Sequence, residues 1–297
     1  MPNTAETIKA LNGIDLSTYP FYEVQEHIRS FGRTGFLIFT LHKGKTIVRA
    51  RSGSNFRERS ELSYLPQAKN TKCQRASTPN KTMFYASLVG EKQSFAECRI
   101  LATSETSTLL RKGIESNGIE KITYGRWNVI DDIDLVVILD EEVYKTVNNN
   151  PLLEELKKAY STFIQANSDL DEKTRLIANF FAQEFAKEEI ENDSDYFLSA
   201  LFSEFVVNEL NYDGVMYPSV QAGGQIGFNV AIKPEVVNQR LQLDLIAEAT
   251  LYKKKKDTFV VTDKTSNPLT WEYYESPEMT TEQILAKLQI SSLGELL

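Results

Sequence analysis

The chain has 297 residues, 33 basic against 41 acidic, a formal net charge of -8 and 41% hydrophobic content. That size and composition bury a core without a disulfide or metal staple, and the acidic balance excludes a broad nucleic-acid-binding face, which needs clustered Lys and Arg. Two cysteines, Cys73 and Cys98, and two histidines, His27 and His42, stand in no metal-ligand spacing, so no metal site is expected. Low cysteine use and the lack of a charged-then-apolar leader fit a reducing cytoplasm. No apolar run reaches bilayer-spanning length, so no membrane association is expected.

Residues 4–11 and 22–31 read as helices, the second with Val24, Ile28 and Phe31 on one face and Gly32 and Gly35 closing it. Residues 36–41 and 46–50 are β-branched and aromatic around His42, Lys43 and Gly44, the pattern of a strand pair joined by a turn. Residues 51–81 form a long polar stretch with Pro66, Pro79 and little periodicity, which in a compact domain marks a functional or disordered loop. Strand character resumes at 83–87, residues 94–101 open a helix carrying Glu97, and 122–129 and 135–139 are strand-like, the last ending at Asp140-Glu141-Glu142.

Residues 151–210 turn helical, with stripes Leu152, Leu156, Tyr160, then Ile177, Phe180, Phe181, Phe185, then Phe197, Leu201, Phe205, Val206. Asn167-Ser168-Asp169 and Asn192-Asp193-Ser194 supply breaks and N-caps, and the aromatic stripes are expected to pack a core. Strands return at 214–217, 228–232, 241–252 and 258–262, a helix closes the chain at 281–288, and the run Lys253, Lys254, Lys255, Lys256 reads as a solvated hairpin tip. Helices are segregated from strands, so the class is α+β and not a doubly wound parallel sheet. The expected organisation is a lead-in at 1–45, a body at 46–262 with a helical insertion at about 151–210, and a tail at 263–297, all in one folded unit.

Several catalytic devices are missing: there is no phosphate loop ending in Lys-Ser or Lys-Thr, no His pair on one helical turn and no Gly-x-Ser-x-Gly elbow. Gly223-Gly224-Gln225-Ile226-Gly227 leads into a strand rather than a helix, so it fails as a dinucleotide fingerprint. What remains are polar groups at strand ends. Arg49 and Arg51 share a strand face, and a guanidinium fork suits a pyrophosphate. Glu97 sits among small and apolar residues, where a carboxylate is either paired with a nearby Arg or poised for chemistry. In Asp213-Gly214-Val215-Met216-Tyr217-Pro218-Ser219 an apolar strand runs into Pro218, which presents Ser219 at the strand end.

Taken together, three segments resemble the RES-domain family, named for a remote Arg, Glu and Ser. Val48-Arg49-Ala50-Arg51 is similar to its Arg motif, Met83-Phe84-Tyr85-Ala86-Ser87 with Ala96-Glu97 to its Tyr strand and Glu helix, and residues 213–219 with Gly227-Phe228-Asn229-Val230-Ala231 to its Ser motif. One turn departs from the pattern: where the family often has Gly-Arg-Trp-Asn before the Tyr strand, this chain has Gln74-Arg75-Ala76-Ser77, whose contribution is left unassigned. Gly125-Arg126-Trp127-Asn128 comes later, in the wrong order, and is read as a decoy.

The resemblance implies an ADP-ribosyltransferase-like fold and cleavage of NAD at the nicotinamide–ribose bond, by hydrolysis or phosphorolysis, in a bacterial toxin or defence setting. It implies Glu97, Arg49 and Ser219 as catalytic residues and Arg51, Tyr85, Tyr217 and Asn229 as substrate-binding ones, with NAD as substrate and no cofactor. Its alternatives are a protein ADP-ribosyltransferase and a catalytically inactive NAD- or partner-binding module. The partners it admits are a cognate antitoxin and a second copy of the chain.

Overall fold

A computed structural model describes residues 3–88, 95–140, 142–144, 150–167, 171–219 and 227–297. Ser94, Glu141, Ser168, Asp169 and residues 223–226 of the glycine-rich loop, all named above, lie outside the described residues. The strands are β1 (Ile38–Leu41), β2 (Thr46–Ser52), β3 (Phe84–Leu88), β4 (Asn117–Val129), β5 (Ile133–Val137), β6 (Gly214–Pro218), β7 (Phe228–Ile232), β8 (Leu241–Lys254), β9 (Asp257–Ser266) and β10 (Tyr273–Glu275). They form one 10-stranded sheet in the order β1-β5-β6-β7-β3-β2-β4-β8-β9-β10. The β5–β6 pair is parallel and the other ladders are antiparallel. The architecture is therefore mixed, helices around a large and mostly antiparallel sheet.

The expected strand pair around His42 is corrected. Ile38 faces Val136 and Leu41 faces Ile133, while Thr46 faces Asn128 and Ser52 faces Ile122. Both ladders keep one register, carried through the bend by Gly44 N–H to Val129 O (2.8 Å) and Val129 N–H to Lys45 O (2.9 Å). β1 and β2 are thus halves of one bent strand, running alongside β5 and β4. The His42–Gly44 turn bends the ribbon instead of reversing it because Asp132, between β4 and β5, accepts from Lys43 N–H at 2.8 Å and lies 3.0 Å from His42 Nδ1. Beyond the bend β5 pairs with β6 and β2 with β3, so β6, β7 and β3 fill the interval between the ribbon's two halves.

Helices α1 (Thr4–Gly13) and α2 (Phe21–Ser30) precede the sheet, α3 (Phe95–Thr106) and α4 (Thr108–Arg111) lie between β3 and β4, and α5 (Pro151–Ala166), α6 (Asp171–Ala186) and α7 (Phe197–Asn208) follow β5. Two further helices, α8 (Pro234–Arg240) and α9 (Thr281–Leu288), flank β8 to β10. The aromatic stripes pack as expected: the Phe181 and Phe202 rings stack at 3.8 Å, and with Phe185, Phe197 and Val206 they share one apolar core with Val136, Met216 and Val230. The helical stretch at 151–210 therefore builds the main core rather than decorating it. A second cluster, Val48, Ala50, Cys98, Ala102 and Tyr124, seats α3 on the sheet. Among the described residues no helix is long and apolar enough to cross a membrane.

The lysine run departs from the solvated-tip reading. Lys255 and Lys256 are exposed in the turn between β8 and β9, but Lys253 is 4% exposed and its Nζ donates to Ile114 O (3.1 Å), Ser116 O (2.8 Å) and Lys255 O. Lys254 Nζ reaches Leu288 O (3.1 Å) and Gln289 O (3.0 Å) at the end of α9, where a cation meets the negative end of the helix dipole. The three carbonyls in turn satisfy the donors of the buried ammonium. Lys253→Met is expected to lower unfolding stability by about 1–3 kcal/mol, read as a shift of the urea midpoint, while Lys256→Met leaves the midpoint in place.

Candidate active site

The split in the sheet makes the site. β2 and β3 share one paired position, Val48 with Ser87, whereas β2 is zipped to β4 from Thr46 to Ser52 and β3 to β7 from Phe84 to Leu88. Past Val48 the two strands part, and the gap opens into a cleft of ≈ 540 Å³, a volume usual for small-molecule sites. Arg49, Arg51, Tyr85, Tyr217 and Asn229 all line it. Five of the residues singled out in the sequence, drawn from four strands, thus face one cleft.

Arg49 spans the opening. Its Nη1 donates to Tyr85 O at 2.6 Å, taking the place of a ladder partner that the diverging strand no longer supplies, and its Cζ lies 5.2 Å from the Phe84 ring centroid. Its Nε is buried with no hydrogen-bond partner among the described residues. Burial, and then the like charge of Arg51, push its pKa down to about 9. A guanidinium with this value is still cationic at neutral pH, so its charge stands partly desolvated and ready for an anion. Burial also lowers the pKa of Arg51, against a smaller opposing effect of Glu61. Arg75 and Arg111 line the same cleft, which is therefore rich in cations within an acidic protein.

The opposite wall is built on one cross-strand row, Ser87, Asn229 and Tyr217, in register across β3, β7 and β6. Ser87 Oγ donates to Asn229 Oδ1 at 3.1 Å. Tyr217 is 3% exposed, its ring 5.0 Å from that of Phe185, and burial raises its pKa well above the usual phenol value. Burial likewise pushes Tyr85 up to about 12, and its hydroxyl accepts from Ala76 N–H at 3.1 Å and lies 3.0 Å from Ser77 Oγ. The turn at Gln74-Arg75-Ala76-Ser77, unassigned in the sequence, thus fixes the ring of Tyr85 and carries Arg75 into the wall. In the Gly125-Arg126-Trp127-Asn128 segment, Trp127 is fully buried in β4 and Arg126 pairs with Asp244, and neither lines the cleft.

The carboxylate is where the sequence and the structure part. Glu97 lies on the first turn of α3, half-buried, and is not among the residues lining the cleft. Glu105, eight residues further along α3 and about 12 Å up its axis, does line it. Ser219, fully buried at the end of β6, donates its Oγ to the Glu105 carboxylate, and its N–H bonds Gly227 O at 3.1 Å. The carboxylate beside Ser219 is therefore Glu105 and not the expected Glu97, and Ser219 itself stands behind the lining residues. The signal for Glu105 was present in the spacing: Cys98, Ala102 and Glu105 recur at four and then three residues, which puts the carboxylate on the face of α3 that packs on the sheet.

Compared with family models, curated proteins and solved structures, the chain matches none. Chemically, the arrangement places four guanidinium groups and one carboxylate, held by a buried hydroxyl, around a single cleft, a lining suited to an anionic ligand.

Proposed function

We propose that this chain is an NAD-degrading enzyme of the RES type, with an ADP-ribosyltransferase-like fold, cleaving the nicotinamide–ribose bond of cytoplasmic NAD by hydrolysis or phosphorolysis. The observation that carries the reading is the cleft at the β2–β3 split, where Arg49 and Arg51 face a cavity that also holds Glu105, Tyr85, Tyr217 and Asn229. Nicotinamide leaves as a neutral base, so no strong acid is required to expel it. The carbon–nitrogen bond breaks with its electron pair going to nicotinamide, and the ribose carbon becomes an oxocarbenium ion that water or phosphate captures. Glu105 stabilises that cation electrostatically, and Ser219 holds the carboxylate in place. Arg49 and Arg51 grip the pyrophosphate and turn binding energy into orientation.

The test is to incubate purified protein with NAD and follow free nicotinamide, with and without phosphate. Release is expected, faster with phosphate if phosphorolysis operates. No nicotinamide under either condition removes the assignment. ADP-ribose, which keeps the pyrophosphate, is expected to stabilise the fold by about 2.7 kcal/mol at a hundredfold excess over its Kd, an effect that shrinks as salt screens the arginines. A thermal shift that ignores salt would disconnect those guanidinium groups from the ligand.

A further inference from the structure

Four arginines line the cleft, more than one pyrophosphate requires, and they are not equivalent. Arg75 is committed along its edge, with Nη1 donating to Phe185 O and Nη2 to Lys187 O (3.0 Å), two carbonyls at the end of α6. These bonds fix the plane of the guanidinium and leave its face as the available surface. One of its two faces rests on Tyr196, Cζ to ring centroid 5.0 Å, which leaves the other to stack, and both residues line the cleft. A guanidinium held in this way is a poor phosphate fork and a good stacking plate.

We infer that Arg75 and Tyr196 form the shelf on which the adenine of the dinucleotide stacks, making them the residues that select an adenine nucleotide over a bare nicotinamide nucleotide. The inference rests on the proposed NAD chemistry for its catalytic half only. Charge decides which base goes there: nicotinamide in NAD is cationic and is repelled by a guanidinium face, whereas adenine is neutral and stacks on it. The cationic ring then lies toward Glu105, which attracts it. Gln74, next to Arg75 in the chain and also lining the cleft, donates its amide to Asn70 Oδ1 at 3.3 Å, which leaves its carbonyl oxygen as an acceptor for the amino edge of adenine.

The test uses the whole chain, two variants and two probes. AMP binding is measured by calorimetry, and nicotinamide release is measured from NAD and from nicotinamide mononucleotide, which has no adenine. Tyr196→Leu and Arg75→Lys are each expected to weaken AMP binding and raise KM for NAD about tenfold, with kcat near wild type and cleavage of the mononucleotide unchanged. Arg75→Lys also loosens the end of α6, so its melting temperature is recorded, and Tyr196→Leu, which leaves the carbonyl bonds in place, carries the test if that variant is unstable. Equal losses on NAD and on the mononucleotide, or AMP binding that ignores Tyr196→Leu, overturn the shelf. AMP binding that depends on Tyr196 in a protein that consumes no NAD would remove the catalytic reading and leave the shelf standing.

Discussion

Glu105→Gln is expected to reduce nicotinamide release from NAD by about a hundredfold or more, the usual cost of deleting one electrostatic contact to a developing charge. The substitution keeps the shape of the side chain and an oxygen that accepts from Ser219, so the fold and most NAD affinity are retained and the loss falls on kcat. Glu97→Gln, on the first turn of the same helix, is expected to change the rate by less than a few-fold. The pair discriminates sharply between the carboxylate named by the family resemblance and the one the structure brings to the cleft. If Glu97→Gln is the dead variant and Glu105→Gln turns over normally, the assignment returns to Glu97 and the role of the Ser219–Glu105 hydrogen bond is lost. Ser219→Ala serves as the companion: it frees the Glu105 carboxylate, and is expected to lower kcat less than Glu105→Gln while leaving KM nearly unchanged.

The second large effect is on the fold. Gly214 opens β6 between β5 and β7, and a Cβ there would lie 2.0 Å from Ala231 O and 3.0 Å from Ile232 Cα. Both obstacles are backbone in the adjacent strand, so relief requires β6 and β7 to move apart. Their ladder carries Tyr217 opposite Asn229 and ends at the residue before Ser219. Gly214→Ala is therefore expected to destabilise the protein by about 3 kcal/mol or more, at the upper end for overpacking, and whatever folds is expected to lose the Ser219–Glu105 contact. Denaturant unfolding gives the first quantity and nicotinamide release the second. An alanine variant with an unchanged midpoint would show that β6 and β7 can separate locally without cost, and would weaken the claim that their spacing seats the site.

Much of the molecule was legible from local pattern. The three helices at 151–210 follow from apolar spacing, and Phe180, Phe181, Phe185 and Phe197 are buried in the core as that spacing required, with Phe205 partly buried against it. The short, mostly apolar runs of β6 and β7, buried along their whole length, located the strands that carry Tyr217 and Asn229. Three elements escaped: α4, four residues long, β10, three residues long, and α8, which Pro234 at its first turn signals. Elements this short carry too few residues to show a period.

The residue types of the site were set by the sequence alone: arginines on one strand face, tyrosines and an asparagine in two apolar strands, a serine after a proline. Pairing was decided elsewhere. Whether residues 38–52 form a hairpin or one bent strand depends on which partner extends the ladder, and that partner lies far along the chain, in β4 and β5, from Ser52 opposite Ile122 to Ile38 opposite Val136. The same long-range choice opens the gap between β2 and β3, and with it the cleft. The carboxylate was decided in the same way: the spacing of Cys98, Ala102 and Glu105 puts Glu105 on the sheet-packed face of α3, but nothing local says which strand end that face meets. The distance of about 12 Å along the axis, set against the place where β6 ends, is what brings Glu105 and not Glu97 to Ser219. Side-chain identity is a property of the chain, whereas convergence is a property of register, and register is fixed by contacts between segments remote in sequence.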